Sequence, residues 1–273
     1  MKNFIVRTVY GFIFAVVVVG SILISPYLFA LLMLMVTVIG VFEMNKLLPI
    51  PDETSKTSAM VLISTVLVYL LIALTGLGII DPKILFLLVL PLLFPFVHAL
   101  FSIKHSFGEL VPRHYAPVFY VALPSALTLF FYNPVFVGKV AGPVLLLVVI
   151  VTVWVNDTFA YLTGSLIGKH RLYERISPKK SWEGSIGGLV FSLLIAGLFA
   201  HYSKFLAVDR ALIIAILVVV FGSLGDLIES MLKRQAGVKD SGSIIPGHGG
   251  VLDRFDATFF AVPFVFVYLI MTH

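Results

Sequence analysis

Cysteine is absent from the chain. That excludes disulfide frameworks, thiolate metal sites and cysteine nucleophiles. Charge is also scarce: Asp, Glu, Lys and Arg make up 12% of the 273 residues, where ordinary soluble domains carry about 25%. Apolar residues fill the space, at 60% of the chain, more than one aqueous globule could hide. Lipid is the solvent this composition calls for. The net charge of +5 would suggest a polyanionic partner in a soluble protein. In a membrane protein it reflects basic residues retained on one side, so no nucleic acid is expected. The apolar run behind Lys2 and Arg7 has no small-x-small cleavage site between Ser21 and Tyr27, and reads as a first span, not a signal peptide. With no linker or internal repeat in view, the expectation is one integral membrane domain over residues 1–273.

A membrane helix needs about 20 apolar residues. Candidate spans are 9–25, 27–47, 59–78, 84–103 and 115–131 in the N-terminal part (1–137), then 140–162, 186–202, 211–232 and 255–271 in the C-terminal part (138–273). The expected fold is therefore all-α, a polytopic helical bundle of about nine transmembrane helices. Nine spans assign every basic residue to a side. Fifteen fall with the N-terminus: Lys2, Arg7, Lys46, Lys56, Lys104, Arg113, Lys169, Arg171, Arg175, Lys179, Lys180, Lys233, Arg234, Lys239 and Arg254. Only Lys83, Lys139, Lys204 and Arg210 fall on the other side. The positive-inside rule then predicts a cytoplasmic N-terminus and a C-terminus outside. Both long polar loops, 167–185 and 233–254, are cytoplasmic in this topology.

Ionisable groups within spans are costly and mark function. Here they gather at one depth. Asn156 and Asp157 lie in the sixth span, Asp226 and Glu229 in the eighth, Asp253 and Asp256 where the ninth begins, and Glu43 near the cytoplasmic end of the second. The pairs Asp226/Glu229 and Asp253/Asp256 are three residues apart, which puts both members on one helical face. Carboxylates crowded in low dielectric repel one another unless a cation holds them. Oxygen-only ligands point to a hard ion, Mg²⁺ before Ca²⁺. The plain alternative is helix capping or pairing with Arg234 and Arg254.

The glycine-rich run 245–250 (Ile-Pro-Gly-His-Gly-Gly) leads into a helix start, a pattern that presents N–H groups to an anion. His248 is a candidate for phosphate contact or proton transfer, against the alternative of a histidine that bonds backbone. The run 177–184 sets Lys179 and Lys180 between Ser177 and Ser181, which suits a phosphate chain. Gly184, Gly187 and Gly188 suit close helix packing, His98 an interior hydrogen bond, and Lys233 with Arg234 snorkelling. Carboxylates, lysines and an anion loop at the membrane boundary imply metal-assisted phosphoryl or nucleotidyl transfer between a soluble nucleotide and a lipid.

Several stretches resemble one family. They are Ser230-x-x-Lys233-Arg234, Lys239-Asp240, Pro246-Gly247-His248-Gly249-Gly250 and Asp253-Arg254-x-Asp256. Asn156-Asp157-x-x-Ala160-Tyr161, Ser177-Pro178-Lys179-Lys180-Ser181-x-Glu183-Gly184 and Gly225-Asp226-x-x-Glu229-Ser230 extend the match. Together they are similar to the signature of the phosphatidate cytidylyltransferases (CDP-diacylglycerol synthases). The match covers about residues 156–256; the first five spans agree only in length and hydropathy. The resemblance implies a transferase of the cell (inner or plasma) membrane in phospholipid biosynthesis, with CTP and phosphatidate as substrates. It implies Asp226, Asp253, Asp256, Glu229 and Asp157 around Mg²⁺, and leaves open a second cation and a homodimer. Asp226, Asp253, Asp256, Lys239, His248 and Arg254 would be catalytic. Asn156, Ser177, Lys179, Lys180, Ser181, Lys233, Arg234, Gly247, Gly249 and Gly250 would bind substrate. Two rivals stand beside it: a CTP-dependent lipid-alcohol kinase, and an ion-coupled transporter, which the apolar outer halves of the spans disfavour.

Overall fold

Lipid offers a backbone no hydrogen-bond partners, so an apolar run there must satisfy its own N–H and C=O groups, and a helix does so within one segment. The computed structural model describes residues 2–52, 54–137, 142–245, 247 and 249–272. Among them stand nine long helical segments: α1 (Lys2–Ile24), α2 (Pro26–Leu47), α3 (Ser55–Gly76), α4 (Pro82–Phe101), α5 (Phe107–Tyr132), α6 (Gly142–Ile167), α7 (Trp182–Ser203), α8 (Val208–Gln235) and α9 (Leu252–Met271). Eight of these are long and apolar enough to cross a bilayer, and the apolar part of α1, Thr8–Ile24, is shorter. Each expected span coincides with one helix. The chain is a polytopic all-α membrane protein.

Local chemistry sets the helix ends. Ser25 accepts the Tyr27 N–H at 3.2 Å, with Pro26 at the first position of α2, where its missing N–H costs nothing. Thr54 accepts the Thr57 N–H at 3.2 Å to start α3. The fifth span is longer than its apolar run suggested. Ser106 and Glu109 form a capping box that starts the helix at Phe107, eight residues ahead of the expected start at 115, so polar residues open the helix. Its prolines 112, 117 and 124 withhold N–H groups, and the backbone relaxes into a π turn at Val118–Ala122 and a 3-10 turn at Thr128–Tyr132. The loop 167–185 also holds structure that hydropathy did not announce. Strands β1 (Arg171–Tyr173) and β2 (Ser177–Ser181) pair antiparallel, with Arg171 opposite Ser181 and Tyr173 opposite Ser177.

The chain forms two compact units, Met1–Asn133 with Gln235–Arg254, and Pro134–Arg234 with Phe255–His273. The first has a core of fully buried Phe29, Met33, Val61, Tyr69, Leu110 and Leu129. Polar ties cross it: Tyr69 donates to the Ala30 carbonyl at 2.6 Å and Tyr132 to the Ile22 carbonyl at 2.9 Å. His98 Nδ1 lies 3.0 Å from His114 Nε2, whose other ring nitrogen is 3.3 Å from Ser64 Oγ, so the interior role expected of His98 is met.

The second unit rests on two helix pairs. In α6 against α7, a Cβ on Gly184 would meet the Ala160 carbonyl at 2.7 Å and one on Gly188 the Asn156 carbonyl at 2.9 Å. Phe159 stacks on Phe191 with centroids 3.9 Å apart. In α8 against α9, a Cβ on Gly225 would fall 2.5 Å from the Asp256 carbonyl, and Phe221 stacks on Phe264 at 3.5 Å. Glycine is what lets these backbones meet.

Candidate active site

In the second unit, the α6–α7 hairpin and the C-terminal half of α8 surround a cavity of about 610 Å³. Asn156, Asp157, Arg171, Lys179, Lys180 and Asp226 supply its polar wall. The loop chemistry explains how they come together. Ser181 accepts the Gly184 N–H at 3.1 Å and so caps α7. Glu183 in the first turn of α7 accepts the Lys169 N–H at 3.1 Å and the His170 N–H at 3.2 Å, and pairs with His170 Nδ1 at 2.6 Å. Those bonds tie the loop after α6 to the start of α7, and β2 then delivers the two lysines. Lys180 pairs with Asp226 Oδ2, while Ser230 donates to Asp226 Oδ1 at 3.3 Å.

Beside Asp226 the close α8–α9 packing brings a second carboxylate. Asp256 lies within electrostatic reach of Asp226, Glu229 and Asp157, and its Oδ1 accepts the Ala257 N–H at 2.7 Å. Glu229 is fully buried and pairs with Lys233 one turn on. Four carboxylates from three helices therefore share one neighbourhood, with Lys180 and Lys233 as partners of two of them. Among the described residues no three acidic or histidine side chains yet converge closely enough to cage an ion. The donor set is all-oxygen and anionic, the chemistry a hard divalent cation requires.

The first unit holds the glycine-rich loop. A cavity of about 550 Å³ there is lined by Lys239, Asp240, Ser243, Gly247, Gly249 and Arg254, among others. Ile245 donates to the Gly249 carbonyl at 3.1 Å, closing a tight loop, and Gly247 and Gly249 take positive φ values of 77° and 82°. Pro246 and His248 lie outside the described residues. N–H groups at the end of this loop go to the protein's own carboxylates. Asp253 Oδ2 accepts the N–H groups of Gly250 at 2.7 Å and Ser241 at 2.9 Å. Glu43 accepts those of Val251 and Leu252, both at 2.9 Å.

Most of the expected site residues thus fall into two groups. Asn156, Asp157, Lys179, Lys180, Ser181 and Asp226 line the larger cavity, and Lys239, Gly247, Gly249 and Arg254 the smaller. Others stand apart from both linings: Ser177 pairs in β2, Lys233 holds Glu229, Arg234 is exposed near the end of α8, and the Gly250 N–H is taken by Asp253. Arg171, counted only among the basic residues of a loop, stands in the larger cavity because β1 sets it opposite Ser181. Glu43 is bound to Ser241 and to the end of the loop by contacts across about 200 positions of sequence, a pairing that no local spacing could signal.

Comparison with known proteins bears on what these cavities serve. A phosphatidate cytidylyltransferase of Haemophilus influenzae is 50% identical over 128 residues, covering 45% of this chain and 44% of that protein. One of Staphylococcus saprophyticus is 50% identical over 119 residues, covering 43% and 46%. One of Staphylococcus aureus is 48% identical over 121 residues, covering 44% and 46%. In these matches the chain spans under half the length of each relative. The model of the cytidylyltransferase family matches far more, residues 5–272. With that match over nearly its whole length, the chain belongs to the cytidylyltransferase family.

Proposed function

We propose that the protein transfers a cytidylyl group from CTP to phosphatidate, giving CDP-diacylglycerol and pyrophosphate. The observation that carries this reading is the larger cavity, where Arg171, Lys179 and Lys180 face Asp157 and Asp226 at the end of membrane helices. Cations there suit a triphosphate, and a lipid phosphate reaches the same depth from the bilayer. The names of the relatives supply the substrates. In the reaction, a phosphatidate oxygen attacks the α-phosphorus of CTP, and the bond to the β-phosphate oxygen breaks with its electron pair leaving on pyrophosphate. No protein nucleophile is required, so the residues act by alignment and charge neutralisation. Lys179, Lys180 and Arg171 hold phosphate oxygens in this reading, with Lys239 and Arg254 serving phosphates at the glycine-rich loop.

Asp226 and Asp256, with Glu229 and Asp157 near them, would hold Mg²⁺. Mg²⁺, when bound, supplies charge stabilisation for the phosphates. Lys180, paired with Asp226 in the free protein, would turn to the substrate phosphates in this reading. We place the site on the cytoplasmic face of the cell membrane because basic residues crowd that side of the nine-span topology.

The test is incubation of the purified protein with labelled CTP, phosphatidate and Mg²⁺. Labelled CDP-diacylglycerol with pyrophosphate is the expected result. Release of CDP with a phosphorylated lipid alcohol would instead identify a kinase.

A further inference from the structure

The larger cavity, which lies wholly within the second unit, has a floor as well as a charged wall. Along α6 its lining runs from Ser165 back to Asn156, about 14 Å further from the hairpin loop at 1.5 Å per residue. Along α8 it continues from Asp226 to Ser223 and Gly222, about 5 Å nearer the middle of that helix. Asn156 is 8% exposed. Its Oδ1 is buried without a hydrogen-bond partner among the described residues, in a niche where a Cβ on Gly188 would fall 2.4 Å away. The amide nitrogen, with its two N–H donors, is the end left to the cavity.

Ser223 supplies a second donor. Other hydroxyls of the lining return their proton to their own helix, Ser165 to the Leu162 carbonyl at 2.8 Å and Ser185 to the Ser181 carbonyl at 3.2 Å. Ser223 makes no such bond among the described residues. Unmatched polar groups within membrane helices are costly and mark function, and a ligand that brings a bare acceptor satisfies these two. The charges above narrow the choice. Arg171, Lys179 and Lys180 take phosphates on the loop side, so the floor receives whatever lies just behind a phosphate. In a glycerolipid that is an ester carbonyl, an acceptor with no proton of its own. The nucleotide has a better place: Tyr161, an aromatic of the lining that is 75% exposed, stands more than one turn nearer the loop.

We infer that Asn156 and Ser223 form a subsite for the ester carbonyl of the lipid substrate. Holding that carbonyl fixes the glycerol backbone and aligns the phosphate above it, and it makes the protein selective for acyl over alkyl chains. This rests on the reading of phosphatidate as substrate given above and adds to it the linkage that is recognised.

The test compares dioleoyl phosphatidate with its dioleyl ether analogue, which lacks the carbonyls. Binding to the purified protein in detergent is read without CTP or Mg²⁺, from the rise in melting temperature with lipid concentration. Turnover is read separately as labelled CDP-lipid. Wild type is expected to favour the diester by about 10-fold in apparent Kd and in kcat/KM, the worth of a hydrogen bond. Asn156→Ala should bring that preference to within about twofold of parity and Ser223→Ala to about threefold, with KM for CTP within about twofold of wild type. A merely structural role would lower stability and affect both lipids alike. Ser223→Ala, which removes one oxygen, decides the matter if Asn156→Ala aggregates. Equal use of the two lipids by wild type overturns the inference, and so does a preference that the folded variants keep. A raised KM for CTP with the lipid preference intact assigns these donors to the nucleotide and overturns it too. Wild-type protein that binds neither lipid overturns it together with the reading beneath it. A diester preference in binding that the variants lose, without any CDP-diacylglycerol formed, sinks the transferase reading alone.

Discussion

At the scale of single residues, the two kinds of carboxylate in this protein differ in what they touch. Asp226 meets a lysine and a hydroxyl in an open cavity, whereas Glu43 meets only the protein's own donors in the interior. The first arrangement can exchange partners with a substrate; the second holds a shape. Asp226→Asn is therefore expected to lower kcat by about 100-fold or more while elution and helical content stay as in wild type. Full Mg²⁺-dependent turnover in that variant would remove Asp226 from the site. Gly250→Ala is a test of shape. Its methyl group would press on both Glu43 oxygens, and such overpacking costs about 1–3 kcal/mol, visible as a lowered melting temperature in detergent. The sequence shows the glycine-rich run as a turn leading into a helix start, suited to an anion. Which anion it holds was not, because Glu43 is some 200 residues away along the chain.

Elements bring these residues into position by close backbone approach. Gly225 lets α8 lie against α9 at Asp256, and the glycines of α7 let it lie against α6 beside Asn156. Gly225→Val would drive a branched side chain into the Asp256 carbonyl and the Phe260 Cβ. The expected outcome is loss of about 1–3 kcal/mol of stability together with turnover, read by thermal melts and product formation. The β1–β2 hairpin has the opposite job, since it presents side chains instead of hiding them. Replacing Lys179 and Lys180 together by Ala removes charge-assisted bonds, each about 1.5–3 kcal/mol. KM for CTP or phosphatidate should rise by about 10-fold or more, and unchanged values would return those lysines to a topological role. The helices were readable from hydropathy. The hairpin was not, because five residues of polar strand carry no periodic signal of burial.

For the whole molecule, orientation is the open quantity with a direct test. The chain has no cysteine, so Ser243→Cys creates a single reactive thiol at an exposed loop position. Membrane-impermeant maleimide is expected to label it in inverted vesicles and not in intact cells. Labelling from outside alone would refute the cytoplasmic assignment. The sequence by itself determined the all-α membrane architecture, the places of the long apolar helices and the family motifs. Each of these rests on local composition: an apolar run about 20 residues long has to be a helix in lipid, and a motif is a spacing. The tertiary structure alone decided that Arg171 enters the larger cavity, that Lys180 meets Asp226, and that the glycine-rich loop closes on Glu43 and Asp253. Those are contacts between distant segments. They depend on which helix faces pack and how near glycine lets them come, and no local window of sequence contains that information.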